Sequence, residues 1–265
     1  IMTLNVNSLK AFLFDPVSLE RFKDMLVDKD TNMPKFAIVC LQETKIQPPS
    51  EHEFEIYFKN WGYSSYFTSS KRVNDAGILI LSSLKEKPAK IVVHNPVDPI
   101  MRHTDESPVE YAKRAKLLSH EGRALALIFP SFQIIGVYMH FPSDVHIMDG
   151  TRQYLDRDLL AFVANLKNKS PNPTFILGDM NLCRTTADFR ANAAHGVVAN
   201  LITKLTDPLL RGTFKELERM GFVDAYRAIH PNGKDMTCKA YGLPLVMRLD
   251  MIYTPVNNLI DCGVN

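Results

Sequence analysis

At 265 residues, 46% hydrophobic and 23% charged, the chain is long enough to bury a sizeable core as one large domain or two small ones. A net charge of +2 permits a polyanionic partner but lacks the strongly basic signature that would argue for one by itself. The four cysteines, Cys40, Cys183, Cys238 and Cys262, lie far apart with no CxxC pair and no Cys/His ligand spacing, which argues against a zinc site or a disulfide framework, and no apolar run reaches the length of a membrane span.

In chain order, strand and helix signals alternate. Met2 to Val6 reads as a short strand followed by a polar break at Asn7-Ser8. Ser18 to Val27 has helical spacing (Leu19, Phe22, Met25, Leu26), with Ser18 as the expected N-cap. Phe36 to Leu41 is a continuous apolar run of strand length that stops at Gln42-Glu43-Thr44-Lys45, and similar runs recur at 77–81, 124–129, 132–139 and 174–177. Such runs imply a large, mostly buried sheet. Gln153 to Leu166 places Leu155, Leu159, Phe162, Val163 and Leu166 on one helical face, and Thr213 to Gly221 reads as a helix closed by glycine, with another segment beginning at Phe222. Met247 to Tyr253 reads as one strand with Arg248 and Asp250 on the same face. Residues 85–116 and 185–211 read as long irregular surface excursions. With no internal repeat or break in composition, a single domain over 1–265 is the expectation.

The polar residues at strand ends carry the chemistry. Asn5 and Asn7 end the first strand, Glu43 lies just beyond the second, Asp179 and Asn181 end the strand from Thr174, and Asp250 falls in a late one. Taken singly, each has a plain structural role open to it. An Asp or Asn at a strand end commonly forms a turn or caps a helix, Glu43 alone would be a solvated loop residue, and Tyr138 and His140 would be packing residues. If the strands are neighbours, their ends form an oxygen-rich cleft that suits a hard cation, Mg²⁺ or Mn²⁺, better than zinc. Such a cation serves phosphate-ester chemistry, with Asp179 activating water and Asn5 and Asn181 donating to phosphate oxygens. Asp179 and Asn181, two apart at a strand end, are expected to point to the same side.

The ordered stretches Leu4-Asn5-Val6-Asn7-Ser8-Leu9-Lys10, Cys40-Leu41-Gln42-Glu43-Thr44-Lys45, Gly178-Asp179-Met180-Asn181 and Arg248-Leu249-Asp250 resemble the motifs of the exonuclease–endonuclease–phosphatase superfamily, and the LQETK and RLD pieces resemble its apurinic/apyrimidinic (AP) endonucleases, relatives of bacterial exonuclease III. Glu121-Gly122-Arg123, Gly178 to Arg184 and Thr237-Cys238 look most like the second eukaryotic class, in which 3′ activities dominate. The resemblance implies an α/β fold, a four-layer sandwich of two packed mixed sheets flanked by helices, lacking in this chain the final C-terminal strand with its Ser-Asp-His segment. It implies Glu43 and Asn7 as metal-binding residues, Asp179 as the water-activating acid, Asn181 and Asn5 as phosphate-holding amides, Tyr138 as a phosphate contact and Asp250 as the carboxylate that orients a histidine. Arg123, Cys238, Met247 and Leu249 are its substrate-binding residues.

The function it implies is a Mg²⁺- or Mn²⁺-dependent phosphodiesterase on DNA with abasic or 3′-blocked ends, working in base excision repair as AP endonuclease or 3′-5′ exonuclease. The expected setting is intracellular, in the nucleus or mitochondrion if eukaryotic, with no membrane association. Two alternatives stay open. One is a catalytically degenerate relative that serves as a nucleic-acid or ribonucleoprotein binding scaffold, with a protein partner; the other is an RNA-directed nuclease of the same superfamily. The last histidine is His230, ahead of Asp250, and the aromatic positions of the family's motifs hold Leu4, Lys239 and Met247.

Overall fold

In the computed structural model, which describes residues 1–94, 106–118, 121–143, 150–191, 196–259 and 262–263, the apolar run from Phe36 becomes β2 (Ile38–Gln42), buried along its whole length. It is buried because both of its faces are covered. The chain divides into two units, Ile1–His94 with His120–Tyr138, and Asn95–Ser119 with Met139–Asn265.

In the first unit, β1 (Met2–Asn5) pairs in parallel with β2, placing Asn5 opposite Gln42. β2 pairs antiparallel with β4 (Ile78–Ser82), and β4 with β3 (Ser64–Thr68), giving a mixed sheet in the order β1-β2-β4-β3. Val39, Leu41, Leu79 and Leu81 meet α1 (Leu9–Leu13), α2 (Pro16–Leu26) and α3 (Glu51–Asn60) through Leu9, Leu13, Phe22, Leu26, Phe54 and Phe58. The alternate residues Ile38, Cys40, Ile78 and Ile80 turn the other way, as the two-residue period requires. There they meet β7 (Gln133–Tyr138), where a Cβ on Gly136 would lie 2.7 Å from Cys40 Sγ. β7 pairs antiparallel with β6 (Ala124–Ile128), and β6 with β5 (Lys90–Val93), so sheet packs on sheet. The cap of α2 is Asp15 rather than Ser18. Its carboxylate accepts from the Ser18 amide at 2.8 Å, and Pro16 takes the first turn, where a missing N–H costs nothing.

In the second unit, β8 (Thr174–Asp179) pairs antiparallel with β13 (Asp250–Pro255), and β13 with β10 (Phe222–Asp224). The short strands β9 (Phe189–Ala191), β11 (Cys238–Lys239) and β12 (Leu245–Met247) form a separate sheet in the order β11-β12-β9. The helices here are α4 (Pro108–Leu118), α5 (Thr151–Lys169), α6 (Gly196–Leu205), α7 (Gly212–Arg219) and α8 (Ala225–Ile229). α5 buries Leu155, Leu159, Phe162, Val163 and Leu166, the face its periodicity predicts. Among the described residues, no helix is long and apolar enough to cross a membrane.

The α/β class is as expected, with mixed sheets flanked by helices, but three local expectations change. The excursion at 85–116 contains β5 and most of α4, and the one at 185–211 contains β9 and α6; residues 95–105 and 192–195 lie outside the described residues. The single strand expected over Met247 to Tyr253 is broken between β12 and β13 at Arg248-Leu249, for a reason that lies in the partners of Arg248. The segment from Phe222 is β10 followed at once by α8, capped by Asp224, whose side chain accepts from the Arg227 amide.

Candidate active site

Just past the ends of β1 and β2 the backbone takes left-handed φ at Asn7 (44°), Ser8 (106°), Glu43 (53°) and Lys45 (54°), none of them glycine. Such angles carry strain that persists only where surrounding bonds impose it. Here those bonds are Val6 N to Gln42 O (3.0 Å), Ser8 N to Glu43 O (2.8 Å) and Leu9 N to Thr44 O (3.0 Å), which carry the β1–β2 pairing beyond the strands, and Lys45 N to Ala76 O (3.0 Å), which does the same on the β4 side. The outcome is a defined position for the Glu43 carboxylate. Its Oε1 accepts from Asn5 Nδ2 at 2.8 Å, the Tyr138 hydroxyl also donates to it, and its Oε2 lies 3.1 Å from Lys45 Nζ. Lys45 Nζ in turn donates to Asn7 Oδ1 at 2.5 Å, and Asn7 N donates to Asn5 Oδ1 at 2.9 Å. Burial alone would raise the Glu43 carboxyl, but the bonds from Asn5, Tyr138 and Lys45 outweigh it and hold the group below the usual glutamate range. Glu43 is therefore an ionised acceptor at neutral pH.

Tyr138 is itself backed. The Arg123 guanidinium lies 4.8 Å from its ring centroid and donates through Nε to Glu121 Oε2 at 2.6 Å, while Glu121 Oε1 takes Arg72 Nη1 at 2.8 Å. Arg123, expected as a substrate contact, is 7% exposed and stacks on the tyrosine. Gly122 between them has φ +62°, and a Cβ there would lie 2.8 Å from the Thr68 carbonyl oxygen, so no other residue fits the Glu-Gly-Arg turn without displacing backbone.

The second unit holds the other named residues. β8 delivers Asp179 opposite Asp250 on β13. Asn181 is not a further strand residue facing the same way: it sits past the strand at φ +49°, donates its backbone N–H to Asp179 Oδ1 at 2.7 Å and its side-chain amide to the Met139 carbonyl at 2.8 Å. The acid and amide are thus joined by a turn instead of a pleat. Both are almost fully buried. Thr237 Oγ1 accepts from the backbone N–H groups of Leu249 (3.0 Å) and Asp250 (3.1 Å), tying the chain before β11 to the residue that starts β13.

Arg248 explains the break before that strand. Its guanidinium is 1% exposed and runs between Asp188 (Nε to Oδ1, 2.8 Å) and Asp224 (Nη2 to Oδ2, 2.6 Å), with Arg227 Nη2 also on Asp188 Oδ1 at 2.6 Å. Burial works against the Asp188 carboxyl, but Arg248 and Arg227 more than offset it and hold that group below the usual range. Cys238, Met247 and Leu249, expected as substrate-binding residues, lie in an apolar cluster with Cys183, Val198, Leu205 and Leu245, in which Met247 and Leu249 are buried. Burial there pushes the Cys183 thiol up to about 12.

The structure thus gathers Asn5, Asn7, Glu43, Tyr138 and Arg123 in one unit, and Asp179, Asn181 and Asp250 in the other. Lys45, Thr237 and the Asp188–Arg227–Arg248–Asp224 set carry geometry that sequence reasoning did not assign. Lys45 stood in the LQETK stretch and Thr237 beside Cys238, but neither had a partner visible in the sequence. Among the described residues, no group of three or more His, Cys, Asp or Glu side chains could hold a metal ion. The donors that fit a cation are the Glu43 carboxylate and the Asn7 amide oxygen, both already turned onto one ammonium. Such an oxygen pair suits a hard ion that keeps most of its waters.

The model of the Endonuclease/Exonuclease/phosphatase family matches residues 2–260. Among solved structures, the chain is similar to the 3′ phosphatase NExo from Neisseria bound to product DNA hairpin (21% identity, TM-score 0.69, covering 97% of this chain and 86% of that one). It is also similar to an AP endonuclease from Archaeoglobus fulgidus (22%, 0.65, 96% and 86%) and to the 3′-5′ exonuclease NExo from Neisseria meningitidis (21%, 0.68, 96% and 86%). These likenesses show a shared fold. No curated protein sequence matches the chain.

Proposed function

The chain belongs to the Endonuclease/Exonuclease/phosphatase family, and from that membership we propose that it is a divalent-metal-dependent phosphodiesterase acting on DNA, cutting at abasic sites or clearing blocked 3′ ends. The observation that carries this reading is the Glu43 carboxylate, held ionised by Asn5, Tyr138 and Lys45 on a strained strand end. In this reading Glu43 and Asn7 hold the cation, Mg²⁺ or Mn²⁺, whose chemistry there is to polarise a phosphoryl oxygen and offset its developing charge. Asp179, oriented by the Asn181 N–H on its Oδ1, takes the proton from the attacking water. Asn181 donates to a phosphate oxygen, while Tyr138, its ring fixed from behind by Arg123, keeps its one hydroxyl proton on the Glu43 carboxylate. Asp250, whose backbone N–H donates to Thr237 Oγ1 beside that of Leu249, serves as the orienting carboxylate.

The names of the similar structures, a 3′ phosphatase, a 3′-5′ exonuclease and an AP endonuclease, support assaying both ends of this range. The second eukaryotic class, suggested by Glu121-Gly122-Arg123 and the stretch from Gly178, favours the 3′ activities. The test is cleavage of end-labelled duplexes carrying an abasic site or a 3′ phosphate, with Mg²⁺ and with chelator. Asp179→Asn is expected to lower turnover about 10²-fold or more; an undiminished rate in that variant refutes the assignment.

A second reading, a degenerate relative that binds nucleic acid without cutting it, draws on Lys45, whose ammonium already sits where the cation would go. Mg²⁺-independent binding with no cleavage of DNA or RNA would decide for it.

A further inference from the structure

We propose that Lys45 is a built-in occupant of the cation position, competing with the divalent ion and set aside when it binds. The inference rests on the metal reading above and goes past it, because it concerns what controls occupancy. Lys45 Nζ touches both oxygen donors that would hold the ion, Glu43 Oε2 at 3.1 Å and Asn7 Oδ1 at 2.5 Å. One small cation, whether ammonium or metal, satisfies this pair, and two cannot share so short a span without strong repulsion. The lysine is a neighbour in sequence by design of the backbone: left-handed φ at both Glu43 and Lys45, with Lys45 N bound to the Ala76 carbonyl, brings a side chain two residues on back across the carboxylate.

The ammonium can also leave. The Lys45 and Glu43 side chains are 24% and 19% exposed, so the long flexible stem can swing into solvent without unpacking the core. The aromatic and amide partners of Glu43 stay behind: Asn5 Nδ2 and the Tyr138 hydroxyl hold the carboxylate in place whichever cation is opposite. The competition therefore keeps the donors neutralised and oriented when metal is scarce, and lowers the affinity for metal by the cost of displacing the lysine. Occupancy then responds to divalent-ion concentration at higher levels than the bare donor pair would.

The experiment compares binding of Mn²⁺ alone, by calorimetry and by electron paramagnetic resonance of the free ion, in the full chain, in Lys45→Met and in Glu43→Gln. Lys45→Met is expected to bind Mn²⁺ roughly tenfold more tightly, the scale of removing one partly screened neighbouring charge, while Glu43→Gln loses most of the binding. A second readout does not depend on the affinity measurement. With chelator, Lys45→Met should melt at a lower temperature than the parent because Glu43 is left without its counter-ion, and its melting temperature should rise more steeply with added Mn²⁺. Equal or weaker binding in Lys45→Met, with binding still lost in Glu43→Gln, overturns the competition and leaves the metal reading standing. Undiminished binding in Glu43→Gln overturns both.

Discussion

Asp188→Asn probes the buried charges that shape the chain ahead of Asp250. Asp188 is fully buried and serves two guanidinium groups through Oδ1, Arg227 Nη2 (2.6 Å) and Arg248 Nε (2.8 Å), while Oδ2 accepts from Thr185 N (2.8 Å) and Thr185 Oγ1 (3.0 Å). The amide keeps the shape but removes the carboxylate charge that pairs with Arg227, and it turns an NH₂ toward donors on one side or the other. Breaking a buried pair by removing one partner costs about 3–5 kcal/mol. Asp224 still faces Arg248 through two contacts, which places the expected loss near the lower end, about 3 kcal/mol, or a fall of roughly 6–12 °C in melting temperature.

The folded Asp188 carboxyl lies below its unfolded value, so its stabilisation is present above the unfolded pKa of about 4 and lost as pH falls through the folded one. The variant should therefore also lose part of the parent's acid-induced destabilisation below pH 4. The single tryptophan, Trp61, lies in the other unit, so melting is best followed by circular dichroism together with alkylation of Cys183, whose Sγ donates to the Asp188 carbonyl at 3.6 Å and whose buried thiol has a pKa pushed up to about 12. Slow alkylation in the parent and fast alkylation in Asp188→Asn is the expected pair. A loss under about 1 kcal/mol with unchanged alkylation would refute the view that these charges depend on one another.

Tyr138→Phe removes a donor that helps hold Glu43 below the glutamate range. The acid limb of the Mg²⁺-dependent pH–rate profile should move to higher pH and turnover should fall about tenfold or more; an unmoved limb counts against the contact. Gly136→Ala drives a methyl to 2.7 Å from Cys40 Sγ between the two packed sheets of the first unit, with an expected cost of about 1–3 kcal/mol in denaturant unfolding. Unchanged stability would mean that the sheets separate without cost.

How much the sequence disclosed follows from what each element needs. β2 and β4 are covered on both faces, so their apolar runs are unbroken and readable. β3, Ser64–Thr68, escapes notice because its burial is only partial, and β5 because Ile91 and Val93 at the sheet edge are about half exposed. Glu43, Asp179 and Asp250 could be named from their motifs, but their settings could not. The turn at Asn181 and the return of Lys45 over Glu43 depend on left-handed φ at residues that are not glycine, for which composition gives no signal. The strand break at Arg248 depends on Asp188 and Asp224, whose distance along the chain hides the pairing.

The position of β7 also has a consequence in the order of synthesis. β1, β2 and β4 are complete by Ser82, whereas the strand that carries Gly136 and Tyr138 follows only after the chain has left for the other unit and returned. At about 5–20 residues per second, several seconds pass before it is made. Through that interval Cys40, Ile78 and Ile80 lack the strand that covers them in the finished fold, and Glu43 lacks its tyrosine. β7 both closes that face and completes the hydrogen bonding of the carboxylate.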